Sequence, residues 1–224
     1  MKLVSIATVV LSCAAAAQVP AGVEVSSRRV LAFYYNWYGA PSFQNGKYLH
    51  WEECRGCTHS PDRRVERKSP AGGKVLSVPD TGTTNHPREL YDSTDPALIR
   101  EHLRLAAYAG IDALIATWWG RGLFHDRALE KALDEAESTA SPVSFTIYYE
   151  RIPQAADPVQ AVVDDFRYLI DRYARRPAFF KENGKPVFFI YGRAMNQMKP
   201  EQWREAVAGI RALGPCPIMM SMAV

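Results

Sequence analysis

Ile111-Asp112-Ala113-Leu114-Ile115-Ala116-Thr117-Trp118-Trp119-Gly120 is the stretch that decides the fold. From Ala113 to Ala116 it offers no polar side chain. A strand with one wet face alternates apolar and polar residues, whereas an unbroken apolar run belongs to a strand covered on both faces, as in parallel sheets packed by helices. The run ends in Trp-Trp-Gly, so its chemistry lies at the C-terminal end of the strand. Outward from it, the same unit recurs. Upstream, Val30 to Trp37 is predicted as a first strand, and a long loop follows from Tyr38 to Ser93. Ser93-Thr94-Asp95-Pro96 then starts a helix with a capping residue and a proline in the first turn. Leu98, Leu103, Leu105, Ala106 and Ala109 fall at helical spacing behind it, and Gly110 ends it. Downstream, a helix is predicted over 126–138 with Asp126 as N-cap, then a strand over 143–149 running into Glu150. A helix over 157–175, a strand over 186–191, a helix over 200–213 and a strand over 216–222 complete the series.

Such alternation means a parallel sheet with right-handed crossovers. An open doubly wound sheet and a (β/α)8 barrel both satisfy it. No Gly-rich phosphate loop follows the first strand, which counts against a nucleotide-binding sheet. Trp37, Trp118, Glu150 and Tyr191 instead recur at strand C-termini, where barrel enzymes build their active sites. The expectation is therefore α/β, a (β/α)8 TIM-type barrel occupying 29–224. Five strands are predicted, whereas a complete barrel takes about 250 residues. The sequence reaches Val224 directly after the fifth, so an incomplete barrel with an open strand edge is expected.

The first residues have another character. Met1-Lys2, the apolar stretch Leu3 to Leu11 and the small residues Ala14 to Ala17 form a signal-peptide pattern over 1–17, with a flexible segment over 18–28. Secretion or periplasmic location is expected, with lipidation at Cys13 as the alternative. Beyond Cys13 the cysteines are Cys54, Cys57 and Cys216. Cys54-Arg55-Gly56-Cys57 reads as a small loop disulfide, as free thiols, or, with His50 and His59, as a zinc knuckle. A net charge of +3 on 224 residues gives no electrostatic footprint for nucleic acid. No later stretch is long and apolar enough to span a bilayer.

Phe33-Tyr34-Tyr35-Asn36-Trp37-Tyr38-Gly39, followed by Gly46 to Trp51, places phenols, indoles and an amide at the end of the first strand. Such groups line sugar sites, since a pyranose offers an apolar C–H face to a ring and hydroxyls to indole N–H and phenol O–H. The same rings also suit a packed core.

These segments, with Tyr91-Asp92-Ser93-Thr94-Asp95-Pro96, Thr117-Trp118-Trp119-Gly120 and the run from Tyr173 to Pro186, resemble the endo-α-mannosidase family of glycoside hydrolases, family 99. The resemblance spans about Val30 to Ala194. It implies a (β/α)8 barrel, an oligosaccharide or polysaccharide partner containing α-linked mannose, and no cofactor or metal. By position it assigns sugar contacts to Tyr35, Trp37, Tyr38, His50, Trp51, Trp118 and Trp119. The family's third strand reads Phe-His-Ile-Glu-Pro-Tyr. Here it is Phe145-Thr146-Ile147-Tyr148-Tyr149-Glu150, so Tyr148 stands at the glutamate and Glu150 lies two residues on, on the same side of a strand.

The family's acid and base carboxylates lie in a Glu-Trp-x-Glu motif that these 224 residues do not contain. Glycoside hydrolysis ordinarily needs two placed carboxyl groups. No catalytic residue is therefore assigned, and the chain by itself is expected to be inactive. Asp112 reads as a cap or ion-pair partner, Asp164, Asp165 and Glu130 as solvated helix charge, and His86 as a loop residue able to meet a hydroxyl. A secreted, non-catalytic carbohydrate-binding protein on the same scaffold is the alternative, and a metal- or thiol-dependent protein using Cys54 and Cys57 the third reading.

Overall fold

The computed structural model describes residues 28–45, 49–51, 64–68, 75–79, 91–214 and 218–222. The leader pattern, Cys13, Cys54, Cys57, His59, His86 and Cys216 lie outside them.

Strands β1 (Leu31–Tyr34), β4 (Ala113–Trp118), β5 (Ser144–Tyr149), β7 (Lys185–Tyr191) and β8 (Ile218–Met222) lie side by side in chain order, every pair parallel. Helices α1 (Pro96–Tyr108), α2 (Phe124–Ser138), α3 (Pro158–Leu169), the short α4 (Gly192–Met195) and α5 (Pro200–Ala212) connect them. Among these five strands the order never reverses. Right-handed crossovers that always step the same way put every helix on one face. A doubly wound sheet reverses and gains helices on both faces. The one-way winding is that of a barrel wall.

Side chains divide accordingly. Leu114, Ala116, Trp118, Phe145, Ile147, Tyr149, Phe188 and Ile190 face the helices and pack with Ile99, Leu103, Leu129, Leu133, Phe166, Trp203 and Ile210. Their alternates Ala113, Ile115, Tyr148, Val187 and Phe189 face inward and form a smaller cluster with Leu31, Phe180 and Tyr191. Each fully buried large apolar side chain contributes about 1.5–3 kcal/mol, so the helix-facing layer carries most of the stability. Aromatic rings run through it from Trp118 to Tyr149, Phe166 and Phe188 at centroid spacings of 5.6, 5.3 and 5.3 Å. Gly209 lets α5 close on α3, since a β-carbon there would stand 2.7 Å from Val163 Cγ2.

Several expectations shift. The first strand stops at Tyr34 because the chain turns at Asn36, whose amide donates to the His125 carbonyl at 2.9 Å. The inward stripe of α1 is Ile99, Leu103 and Ala106, and Leu105 is 45% exposed. The long loop carries an antiparallel hairpin, β2 (Arg64–Lys68) with β3 (Val75–Pro79). Helix α3 continues through a π-helical turn, Ile170–Ala174. Strand β6 (Lys181–Glu182) pairs with β7 through Asn183 and Gly184, both at positive φ. Asp112 caps the edge as expected, its carboxylate accepting from the Val30 amide at 2.7 Å and pairing with Arg29 at 3.4 Å. Among the described residues no helix is long and apolar enough to cross a membrane.

Candidate functional site

The site forms where the loops after β1 and β4 meet the ends of β5 and β7. Asp92, 2% exposed, braces the first loop. Its carboxylate accepts from the Ala40 amide at 2.8 Å and the Gln44 side chain at 2.9 Å, and from the Thr94 amide. Ser93 exchanges bonds with Tyr38, and the Trp51 indole donates to the Tyr91 carbonyl at 3.0 Å. The Tyr91-Asp92-Ser93-Thr94 stretch is thus a strut under the aromatic loop.

Upon it the rings assemble. Trp37 stacks on His50 at 5.3 Å and 12°, meets Tyr35 at 4.7 Å, and faces Trp119 edge-on at 6.1 Å. Trp119 stacks on His125 at 5.5 Å. Tyr38 stacks on Trp51 at 4.1 Å and touches Trp37 edge-on. Further along the mouth Tyr148 packs against Tyr191 at 5.2 Å and Phe33 at 4.9 Å. Trp37 Nε1, Trp119 Nε1, Tyr148 Oη and Asn36 Oδ1 are buried with no hydrogen-bond partner among the described residues. Buried polar atoms are usually paired, and these four gather at one end of the sheet.

Glu150 is the carboxyl group of the mouth. It is 8% exposed, accepts from the Thr117 hydroxyl, and its amide donates to the Trp118 carbonyl at 3.1 Å. Burial pushes its carboxyl up to about 7, against the pull of the nearby Trp119 indole and of Arg193. The indole lies close enough to exert that pull, yet closes no hydrogen bond of ordinary geometry. A carboxyl titrating there holds or releases a proton near neutrality. Burial and the Glu150 charge push the Tyr148 phenol up to about 12. Tyr148 and Glu150 share the inner face, as the period of a strand requires.

Of the residues predicted for the site, Tyr35, Trp37, Tyr38, His50, Trp51, Trp119, Tyr148 and Glu150 come together here. Trp118 does not: it is fully buried on the helix side, its indole donating to Asp126 at 2.8 Å. Asp126 is not the N-cap either. Leu123 takes that place, and Asp126 lies buried inside the first turn of α2. Asp165, expected as solvated charge, is 4% exposed and accepts from the Tyr149 phenol at 2.9 Å and Arg121 Nε at 3.2 Å. Thr117 and His125 went unassigned in the sequence. Thr117 was open to strand alternation from Trp118, whereas nothing local marks His125, whose place follows from the turn between β4 and α2. Among the described residues no three His, Cys, Asp or Glu side chains gather as a metal site. A hollow of about 470 Å³ runs along the β1 edge between Phe33, Tyr35, Tyr91, His102 and Leu105. It borders the helix side and shares Phe33, Tyr35, Tyr38 and Tyr91 with the residues named above.

Relatives place this geometry. A glycoprotein endo-α-1,2-mannosidase of Rattus norvegicus is 32% identical over 187 residues, which are 78% of this chain and 38% of that protein. A glycoprotein endo-α-1,2-mannosidase-like protein of Homo sapiens is 32% identical over 185 residues, 77% of this chain and 38% of that one. The chain thus spans 38% of the length of these relatives. The solved GH99 endo-α-mannosidase of Bacteroides thetaiotaomicron superposes with a TM-score of 0.61 at 30% identity, covering 87% of this chain and 55% of that one. The model of the family described as glycosyl hydrolase family 99 matches residues 26–213, nearly the whole of the barrel wall, and the chain belongs to that family.

Proposed function

We propose that this chain builds the sugar-holding wall of a glycosidase active site whose substrate is an α-linked, mannose-type glycan. The observation that carries the reading is the set of buried polar atoms on Trp37, Trp119, Tyr148 and Asn36 that have no partner among the described residues, framed by stacked rings. Sugar hydroxyls would supply the missing partners, and the rings would take the apolar sugar faces. Glu150 is placed to exchange a proton or a hydrogen bond with a hydroxyl at the same end. Names of the relatives favour an α-1,2-mannosidic linkage.

The test is calorimetric titration of the protein with α-1,2-mannobiose, with cellobiose as control. Binding of the first alone is expected. Trp37→Ala and Trp119→Ala should each weaken it by about tenfold or more, the loss of one well-buried anchor. Equal affinity for both sugars, or no loss in either variant, would overturn the reading. Because these 224 residues lack Glu-Trp-x-Glu, a binding protein without turnover is the second reading. Release of reducing ends from an α-1,2-mannan oligosaccharide by the full protein separates the two.

A further inference from the structure

Behind the mouth, two buried carboxylates hold the turn between β4 and α2. Asp126, 3% exposed, accepts from four donors. Its Oδ1 takes the Trp118 indole N–H and the Tyr173 phenol, each at 2.8 Å. Its Oδ2 takes the Gly122 amide and the Tyr168 phenol, each at 2.8 Å. Asp165 holds Arg121 from the side. Trp118, Arg121 and Gly122 are therefore tethered toward the helices. Trp119, between them, is left to project to the mouth, where it stacks on His125.

We propose that Asp126 is a positioning residue for the sugar site: its carboxylate fixes the Trp118–Gly122 turn so that Trp119 presents its indole at the mouth. This rests on the sugar-binding reading above.

Hydrogen-bond chemistry explains why a carboxylate is needed. A phenol can turn and accept, but an indole N–H and a backbone amide only donate. These two fixed donors lie on different oxygens of Asp126. Asparagine has nearly the same shape, yet its NH2 must replace one oxygen. In either flip it meets an N–H that cannot reverse, and one tether breaks. A side chain present only to fill volume would tolerate the exchange.

The experiment uses the full chain with 15N-labelled tryptophan, the Trp119 indole resonance being identified by its loss in Trp119→Phe. In Asp126→Asn that resonance is expected to shift or split, and affinity for α-1,2-mannobiose to fall about tenfold, the cost of a buried donor left unpaired. Tyr168→Phe, which removes only a reversible donor, should leave both readouts nearly unchanged. If Asp126→Asn does not fold, Trp118→Phe removes one tether with the carboxylate intact and is judged the same way. An unmoved Trp119 resonance, or a moved one with wild-type sugar affinity, overturns the proposal. If the unmodified protein binds no mannobiose, the sugar reading fails by itself. The Trp119 resonance then decides whether Asp126 positions that ring.

Discussion

Trp118 and Trp119 are neighbours in sequence, yet one side of the barrel wall closes around its tryptophan while the other leaves its indole N–H waiting. Trp118 is fully buried, stacked on Tyr149 and bonded to Asp126. The Trp119 indole N–H is buried with no hydrogen bond of ordinary geometry among the described residues. The same division runs along the whole sheet. On the helix side Asp126, Asp165, Tyr149 and Tyr173 satisfy one another. At the mouth Trp37, Trp119, Tyr148 and Asn36 keep open valences among the described residues. An unpaired buried donor costs about 1–3 kcal/mol, and on the proposed reading a bound sugar offsets that cost at the mouth. One face holds the fold together; on the proposed reading the other binds the sugar.

The sharpest way to break this comparison is to truncate each tryptophan. Trp118→Ala should cost about 3–5 kcal/mol, as for other large-to-small changes in a packed core. It also strips Asp126 of a donor, so a thermal melt should show a fall of many degrees or no cooperative transition. Trp119→Ala should cost no more than about 1 kcal/mol, while removing most sugar affinity. Equal melting losses for the two variants would mean that the mouth is simply more core.

Stability against pH separates the two faces in a second way. Glu137, on the outside, is held below the usual carboxylate range chiefly by its hydrogen bonds with Arg176, at 3.0 and 2.6 Å. Its contribution is present above the ordinary glutamate pKa and is lost as pH falls through its depressed value. Glu150 has the opposite sign. Its folded value of about 7 lies above the ordinary 4.5, so its contribution is full below pH 4.5 and is lost as pH rises through about 7. Glu150→Gln should therefore flatten the neutral limb of the stability curve and leave the acid limb intact. Arg176→Ala should do the reverse. Urea midpoints measured from pH 3 to pH 8 would check both. A neutral limb that survives Glu150→Gln would place the titration elsewhere.

Much of this was legible in residue order. The apolar run Ala113 to Ala116 announced a strand covered on both faces, and the parallel winding followed from the recurrence of such runs. Most of the ring cluster was legible too, since rings after a strand end must gather where strand ends gather. Contacts between distant segments were not. Asp126 and Asp165 look like ordinary helix charge until Trp118, Tyr149, Tyr168 and Tyr173 converge on them from other elements. Trp118 was misplaced for a related reason. A Trp-Trp pair reads as one platform, but alternation along a strand sends its members to opposite faces. The first strand came out short because its end is set by Asn36 reaching the His125 carbonyl, 89 residues away.

Tyr148→Phe is the mildest change and the most discriminating. Its hydroxyl is buried, has no partner among the described residues, and lies beside Tyr191 and Glu150. Deleting a satisfied buried hydroxyl normally destabilises, because its partner is stranded. Here nothing is stranded and a desolvated oxygen is removed, so stability should stay within about 0.5 kcal/mol or rise slightly. Mannobiose affinity should nevertheless fall, by up to about tenfold if the phenol donates to the sugar. Lower stability with unchanged affinity would mean that the hydroxyl already has a partner within the protein, and would take Tyr148 out of the binding surface. Unchanged stability with weaker binding would show that its open valence serves the ligand, as the division between the two faces of the sheet requires.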